Sequence, residues 1–243
     1  MAERKMNRDT IKYIAMATML LNHISMVFMK PGTFWAELFL DAGYFTAPVM
    51  CYFLVEGYGY TRSVKKYGER LLLFALISQI PFCLAFTSEG ILDFVGMNML
   101  FTLFLCLLII KVMKEMTDPV IRTLCIAGLV FISMFSDWAI LAPVFTILFV
   151  RAGNSEDAKK KAFVTGTLIF GGFNFLGGMG RFSLMTDVVY MLGSMVGPAF
   201  AGICTLFFYN GKRSEKNRKF SKWFFYWFYP VHLTILGLIR IFA

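Results

Sequence analysis

The apolar run from Thr10 to Met29 constrains this chain most, because its only ionisable side chains are Lys12 near its start and His23 well inside it. About twenty residues, each rising about 1.5 Å in an α-helix, cross the roughly 30 Å of bilayer hydrocarbon. Such a run is a membrane span, and a histidine in it must face protein or a water-filled cavity. At that rise His23 stands roughly 18 Å from Ile11 and roughly 9 Å from Met29, in the outer half of the bilayer if the basic N-terminus is cytoplasmic. Imidazole titrates near neutrality, so at that depth it is a candidate for proton transfer, beside the plainer role of bonding a neighbouring helix. At about 100° per residue, Met16, Met19 and Met26 share the side of His23. Ala15, Thr18, Asn22 and Ser25 form an adjacent stripe of small and polar residues, the kind that permits close contact with another helix.

The rest of the chain is equally apolar. With 58% hydrophobic and 17% aromatic residues over 243 positions it exceeds the roughly 45–50% apolar share of soluble domains. The expectation is an all-α polytopic integral membrane protein of the cell membrane, one transmembrane domain over 1–243, with no cleavable signal peptide ahead of the first span. Apolar segments fall at about 10–29, 43–60, 71–87, 97–113, 120–136, 138–151, 162–178, 186–209 and 223–242. The sixth is short and either tilted, re-entrant or fused to the fifth through Asp137-Trp138, so eight or ten crossings stay open beside nine. With nine crossings and a cytoplasmic N-terminus, 21 of the 24 Lys and Arg lie inside, and only Lys30, Arg181 and Arg240 lie outside. That asymmetry is what the positive-inside rule requires, and it places the C-terminus outside the cytoplasm. The same placement turns the +9 net charge into loop charge facing the cytoplasm rather than a nucleic-acid surface. Glu37, Asp41, Glu89, Asp93, Asp137 and Asp187 then gather at outer ends, giving that face a charge of about −3 that favours approaching cations. The five cysteines show no metal-ligand spacing and read as packing residues, so no metal is expected.

Four further stretches carry candidate chemistry. Arg62, Lys65, Lys66 and Arg70 crowd the cytoplasmic mouth after the second span, where they serve topology, pair with Glu56, or hold the phosphates of a cytosolic ligand. Ser78-Gln79-Ile80-Pro81-Phe82 places a proline inside the third span, freeing a carbonyl that Ser78 or Gln79 can satisfy, or leaving those two to bridge helices. Asn98 opens the fourth span, where a buried amide orients a substrate or cross-links helices. His232 follows Pro230 in the last span, roughly 14 Å above Trp223 and within about 5 Å in depth of His23, so the two histidines suit one shared pocket. The glycine-rich exit of the seventh span, Gly177-Gly-Met-Gly-Arg181, reads as tight packing or a mobile outer loop.

Taken in order, Ile11-Lys-Tyr-Ile-Ala15 with His23, Leu54-Val-Glu-Gly-Tyr58 with Thr61-Arg62, Tyr67, Arg70-Leu71, Ser78-Gln-Ile-Pro-Phe82 and Phe225-Tyr-Trp-Phe-Tyr-Pro-Val-His-Leu233 resemble the TraX family, whose namesake is the F-pilin N-acetylase. The resemblance runs from about residue 10 to 240. TraX proteins are similar in turn to the wider transmembrane acyltransferases, which use an early-span histidine to move an acyl group from cytosolic acyl-CoA to an extracytoplasmic acceptor. Where the family often carries an Asp before that histidine and an Arg before the second-span proline, this chain has Asn22 and Tyr44. The resemblance implies an O- or N-acyltransferase, most simply an acetyltransferase, with acetyl-CoA or another acyl-CoA as co-substrate. Its acceptor would be a peptide amine, glycan or lipid. His23 would be the general base, Asn98, Tyr229 or Asn22 would stabilise the oxyanion, and His232 would order the pocket. Arg62, Lys65, Lys66 and Arg70 would hold the CoA phosphates. A proton-coupled carrier relaying protons between the two histidines, and a non-catalytic assembly factor, are the alternatives; the carrier lacks the repeated halves with broken helices that such proteins often show.

Overall fold

The computed structural model describes residues 5–214 and 218–242. Arg4, Lys216 and the side chain of Arg218, which enter the charge bias above, lie outside the described residues. The chain is all-helical: α1 (Arg8–Phe28), α2 (Phe34–Gly43), α3 (Thr46–Tyr60), α4 (Val64–Phe86), α5 (Met99–Glu115), α6 (Pro119–Ser133), α7 (Leu141–Ala152), α8 (Glu156–Gly178), α9 (Leu184–Ile203), a π turn Cys204–Phe208, and α10 (Arg218–Phe242). Side chains mark most helix starts. Asn7, Ser63, Asn98, Asp118, Ser155 and Ser183 each accept an amide of the first turn, and Pro119 follows the Asp118 cap, where its missing N–H costs nothing.

Five stretches are long and apolar enough to cross a membrane: Arg8–Phe28, Phe34–Tyr60, Val64–Phe86, Leu184–Phe208 and Lys219–Phe242. Each of the nine apolar segments of the sequence coincides with a helix. The difference lies at the second, which begins earlier than hydropathy alone suggests. Phe34–Gly43 is helical, so Glu37 and Asp41 stand on a helix rather than in a loop. Nothing in Phe34-Trp-Ala-Glu-Leu-Phe-Leu-Asp41 breaks a helix, and the turn at Tyr44 separates it from α3.

By contacts the chain forms two compact units, Met1–Val49 with Ala152–Ser221, and Met50–Arg151 with Lys222–Ala243. In the first unit the polar stripe of α1 seats α2 and the start of α3. The Thr46 and Thr18 hydroxyls both reach the Ala15 carbonyl, at 2.8 and 3.1 Å. Asn22 donates to the Leu40 carbonyl at 2.8 Å and Ser25 to that of Ala36 at 2.7 Å, while Gly43 leaves the room that the Asn22 side chain occupies. On the other side of α2, Gly197 of α9 is packed so closely that a methyl there would lie 2.5 Å from the Asp41 carbonyl oxygen and 2.7 Å from the Phe45 nitrogen. The segment before α1 is laid along the residues after the π turn by Met6 N–H to Phe208 O at 3.0 Å, Asn210 N–H to Met6 O at 2.9 Å and Arg8 N–H to Lys212 O at 2.9 Å.

In the second unit α10 lies along α4. The Phe74 ring stacks on Tyr226 at 4.8 Å and meets Trp227 edge-on at 5.2 Å, and Gly237 abuts Leu84. The Arg240 guanidinium then closes the end of α4, donating to the carbonyls of Leu84 (3.0 Å), Gly90 (3.2 Å) and Ile91 (2.9 Å). These carbonyls have no helical amide to bond, so the arginine serves as a C-terminal cap. All five cysteines are free thiols.

Candidate functional site

His23 lies in the first unit, five residues before the end of α1, and is only 7% exposed. Its neighbour Asn22, anchored to Leu40 and fitted over Gly43, fixes the rotation of α1 about its axis at this level. Of the methionines on the histidine side, Met16 and Met19 are buried and Met26 is exposed.

Asn98, Tyr229 and His232 belong to the second unit, and the fold brings them together. Asn98 is completely buried between α4 and α5. Its Oδ1 caps α5 by accepting the amides of Leu100 (3.1 Å) and Phe101 (3.4 Å), and its Nδ2 donates to the Ala75 carbonyl (2.7 Å) and to Gln79 Oε1 (2.9 Å). Gln79 in turn donates to the Gly96 carbonyl at 2.7 Å, so of the two polar residues before Pro81 it is Gln79 that bridges helices; Ser78 Oγ is buried without a hydrogen bond. The next residue, Met99, donates its amide to the Tyr229 hydroxyl at 3.3 Å. One turn further along α10, His232 Nδ1 sits 2.7 Å from the Phe228 carbonyl. A carbonyl can only accept, so in the neutral ring Nδ1 carries the proton and Nε2 keeps its lone pair. The ring is held against Phe228 at 4.8 Å and Tyr229 at 5.7 Å.

A second layer supports this cluster. Thr102 donates to the Asp137 carbonyl at 2.6 Å, and the backbones of Met97, Phe135 and Asp137 exchange bonds of 2.8 and 2.9 Å. Asp137-Trp138 is thus a fastened turn between α6 and α7, with Trp138 in the left-handed region at φ 55°. Burial pushes the Asp137 carboxyl up to about 6, against the pull of the Trp138 amide 2.9 Å from Oδ1.

The four basic residues gather at the start of α4. Ser63 caps that helix by accepting the Lys66 amide at 3.2 Å. Arg62, Lys65 and Lys66 are exposed around the cap, and Arg70 is half-buried with its guanidinium 5.7 Å from the centre of the Tyr67 ring and its Nε without a hydrogen bond. Among the described residues no carboxylate forms an ion pair with any of the four. The three exposed cations thus stand beside the capped first turn of α4.

A family model described as TraX protein matches residues 7–240. The chain belongs to the TraX family. This TraX chain is 29% identical over 242 residues to a probable fimbrial assembly protein FimC, serogroup H1, of Dichelobacter nodosus, covering 96% of the chain and 95% of that relative. No solved structure gives a significant match. The stretches that carry the resemblance fall on α1 with its histidine, the second half of α3, the basic start of α4 with the Gln79 bridge, and the α10 segment with Tyr229 and His232.

Proposed function

We propose that this TraX protein transfers an acetyl or other short acyl group from cytosolic acyl-CoA to an amine or hydroxyl acceptor outside the cytoplasm, across a bundle crossing the cell membrane nine times with its N-terminus inside. The observation that carries the reading is His23, a titratable ring buried deep in a span-length helix of a family whose namesake is an acetylase. In this scheme the acceptor's nitrogen or oxygen attacks the thioester carbonyl while His23 takes its proton. The new C–N or C–O bond forms, the C–S bond breaks, and the leaving CoA thiolate recovers the proton from the imidazolium. The basic start of α4 would grip the CoA phosphates. Asn98 uses both N–H groups on Ala75 and Gln79, so in this scheme it acts by holding α4 and α5 together, and the oxyanion role passes to Tyr229.

The experiment is transfer of label from acetyl-labelled acetyl-CoA to small amine and alcohol acceptors by the purified protein. His23→Ala should lower turnover by about 10²-fold or more while leaving CoA binding in place. His232→Ala should lower it less, and Arg62→Gln with Arg70→Gln should raise the acetyl-CoA requirement without changing maximal turnover. The name of the FimC relative favours a second reading, a non-catalytic part in surface-fibre assembly. Absence of label transfer with CoA-free and CoA-bound protein equally stable would select it.

A further inference from the structure

The acyl-transfer reading leaves three carboxylates of the first unit without a task. Glu37 and Asp41 lie one turn apart on α2, and Asp187 lies in the first turn of α9. Together with Tyr44, Asn174 and Tyr190 they line a cavity of about 320 Å³ at the end of the unit that carries the α1–α2 and α8–α9 connections. Glycines shape it. A methyl group on Gly193 would overlap the Asp41 carboxylate, and one on Gly178 would overlap Asp187 Oδ1. The room that the two aspartates occupy is therefore left by glycines of the neighbouring helices.

Asp187 is 4% exposed, and its Oδ1 is fully buried and accepts no hydrogen bond. Glu37 takes only the Gly32 amide, at 2.8 Å, and among the described residues no cation pairs with Glu37, Asp41 or Asp187. Buried carboxylate oxygens without partners are strongly penalised, and the penalty falls when a cation with hydrogen-bond donors enters. The donor requirement selects the cation. A quaternary ammonium could rest on the tyrosine rings but has no N–H for Asp187 Oδ1. Among the described residues no three His, Cys, Asp or Glu side chains converge as metal ligands. A primary ammonium has three N–H groups for Asp187, Asp41 and the Asn174 amide oxygen, whose own Nδ2 is already bonded to the Phe170 carbonyl at 2.9 Å.

We infer that this cavity binds a primary ammonium group on a small or chain-borne ligand. The inference does not rest on acyl transfer and is tested with no acyl-CoA present. Full-length protein in detergent is titrated with ethanolamine, ethylene glycol, tetramethylammonium chloride and magnesium chloride, with heat release and thermal midpoint as readouts. Ethanolamine should bind saturably and raise the midpoint, whereas the other three should not. Asp187→Asn and Asp41→Asn should each weaken ethanolamine binding at least tenfold. Nanodiscs with and without phosphatidylethanolamine separate two sources of the group: ethanolamine weakened by that lipid assigns the site to an aminolipid headgroup, and ethanolamine unaffected assigns it to a soluble or peptide amine. Equal responses to ethanolamine and ethylene glycol, a preference for magnesium or tetramethylammonium, or unchanged binding in both aspartate variants would overturn the inference. The specificity series on unaltered protein decides the matter even where a variant fails to fold.

Discussion

Asn98 and Asp187 are both buried polar side chains at the start of an α-helix, one in each unit, and their surroundings are opposite. Every donor and acceptor of Asn98 has a partner: two amides of its own helix, a carbonyl of α4 and the Gln79 side chain. Asp187 lines a cavity, and its Oδ1, packed against Gly178, accepts no hydrogen bond. A satisfied buried amide fixes how two helices meet, and its removal leaves several orphaned groups. An unsatisfied buried carboxylate weakens the fold at rest and is retained where a ligand completes it. The same depth of burial thus hosts a structural polar group in the second unit and a receptive one in the first.

Mutations can break this contrast. The largest effect is expected at Asn98→Ala, which strips the cap from the Leu100 and Phe101 amides and removes the Nδ2 bonds to Ala75 O and Gln79 Oε1, at a cost of about 2–4 kcal/mol in reversible unfolding in detergent. A cost below the effect of an ordinary surface change would remove Asn98 from the structural side. Gly197→Ala should cost about 1–3 kcal/mol, because the added methyl meets the backbone of α2 rather than a movable side chain. Asp187→Asn should act in the other direction, raising the stability of ligand-free protein by about 1 kcal/mol, because a neutral amide costs less to bury than a carboxylate oxygen with no hydrogen bond. A loss of stability there would show that the carboxylate is already satisfied. The smallest effect is a pH dependence from Asp137. Its folded pKa of about 6 is above the ordinary 3.8, so the folded state favours the protonated form. That contribution is fully present below the ordinary value and is lost as pH rises through about 6. Thermal midpoints of wild type and Asp137→Asn compared across this range should converge at the acid end and separate above it.

Much of the fold was legible because helical periodicity and span length are local signals. The stripe of Thr18, Asn22 and Ser25 announced a contact face on α1 from spacing alone, and that face holds α2 and the start of α3. Asn98 stood one residue before an apolar run and caps it. The start of α2 was less visible, since Glu37 and Asp41 lower the hydropathy of a segment whose helicity rests on packing against α1 and α9. The acidic cavity was not legible, because its walls come from residues 31–44 and 174–194. Glycines such as Gly178 and Gly193 gave no hint that the space they leave is filled by carboxylates of other helices. The pairing of Tyr229 with the Met99 amide is equally remote in sequence and becomes visible only once α10 lies along α4.

That arrangement of α10 has a consequence for biosynthesis. The carbonyls of Leu84, Gly90 and Ile91, the Met99 amide and the face of Phe74 are all covered by residues 222–242. Residues 50–151 are synthesised well before that covering segment. Until it docks, the second unit displays an open seam of carbonyls and an amide that lack these partners, so its completion waits on residues 222–242.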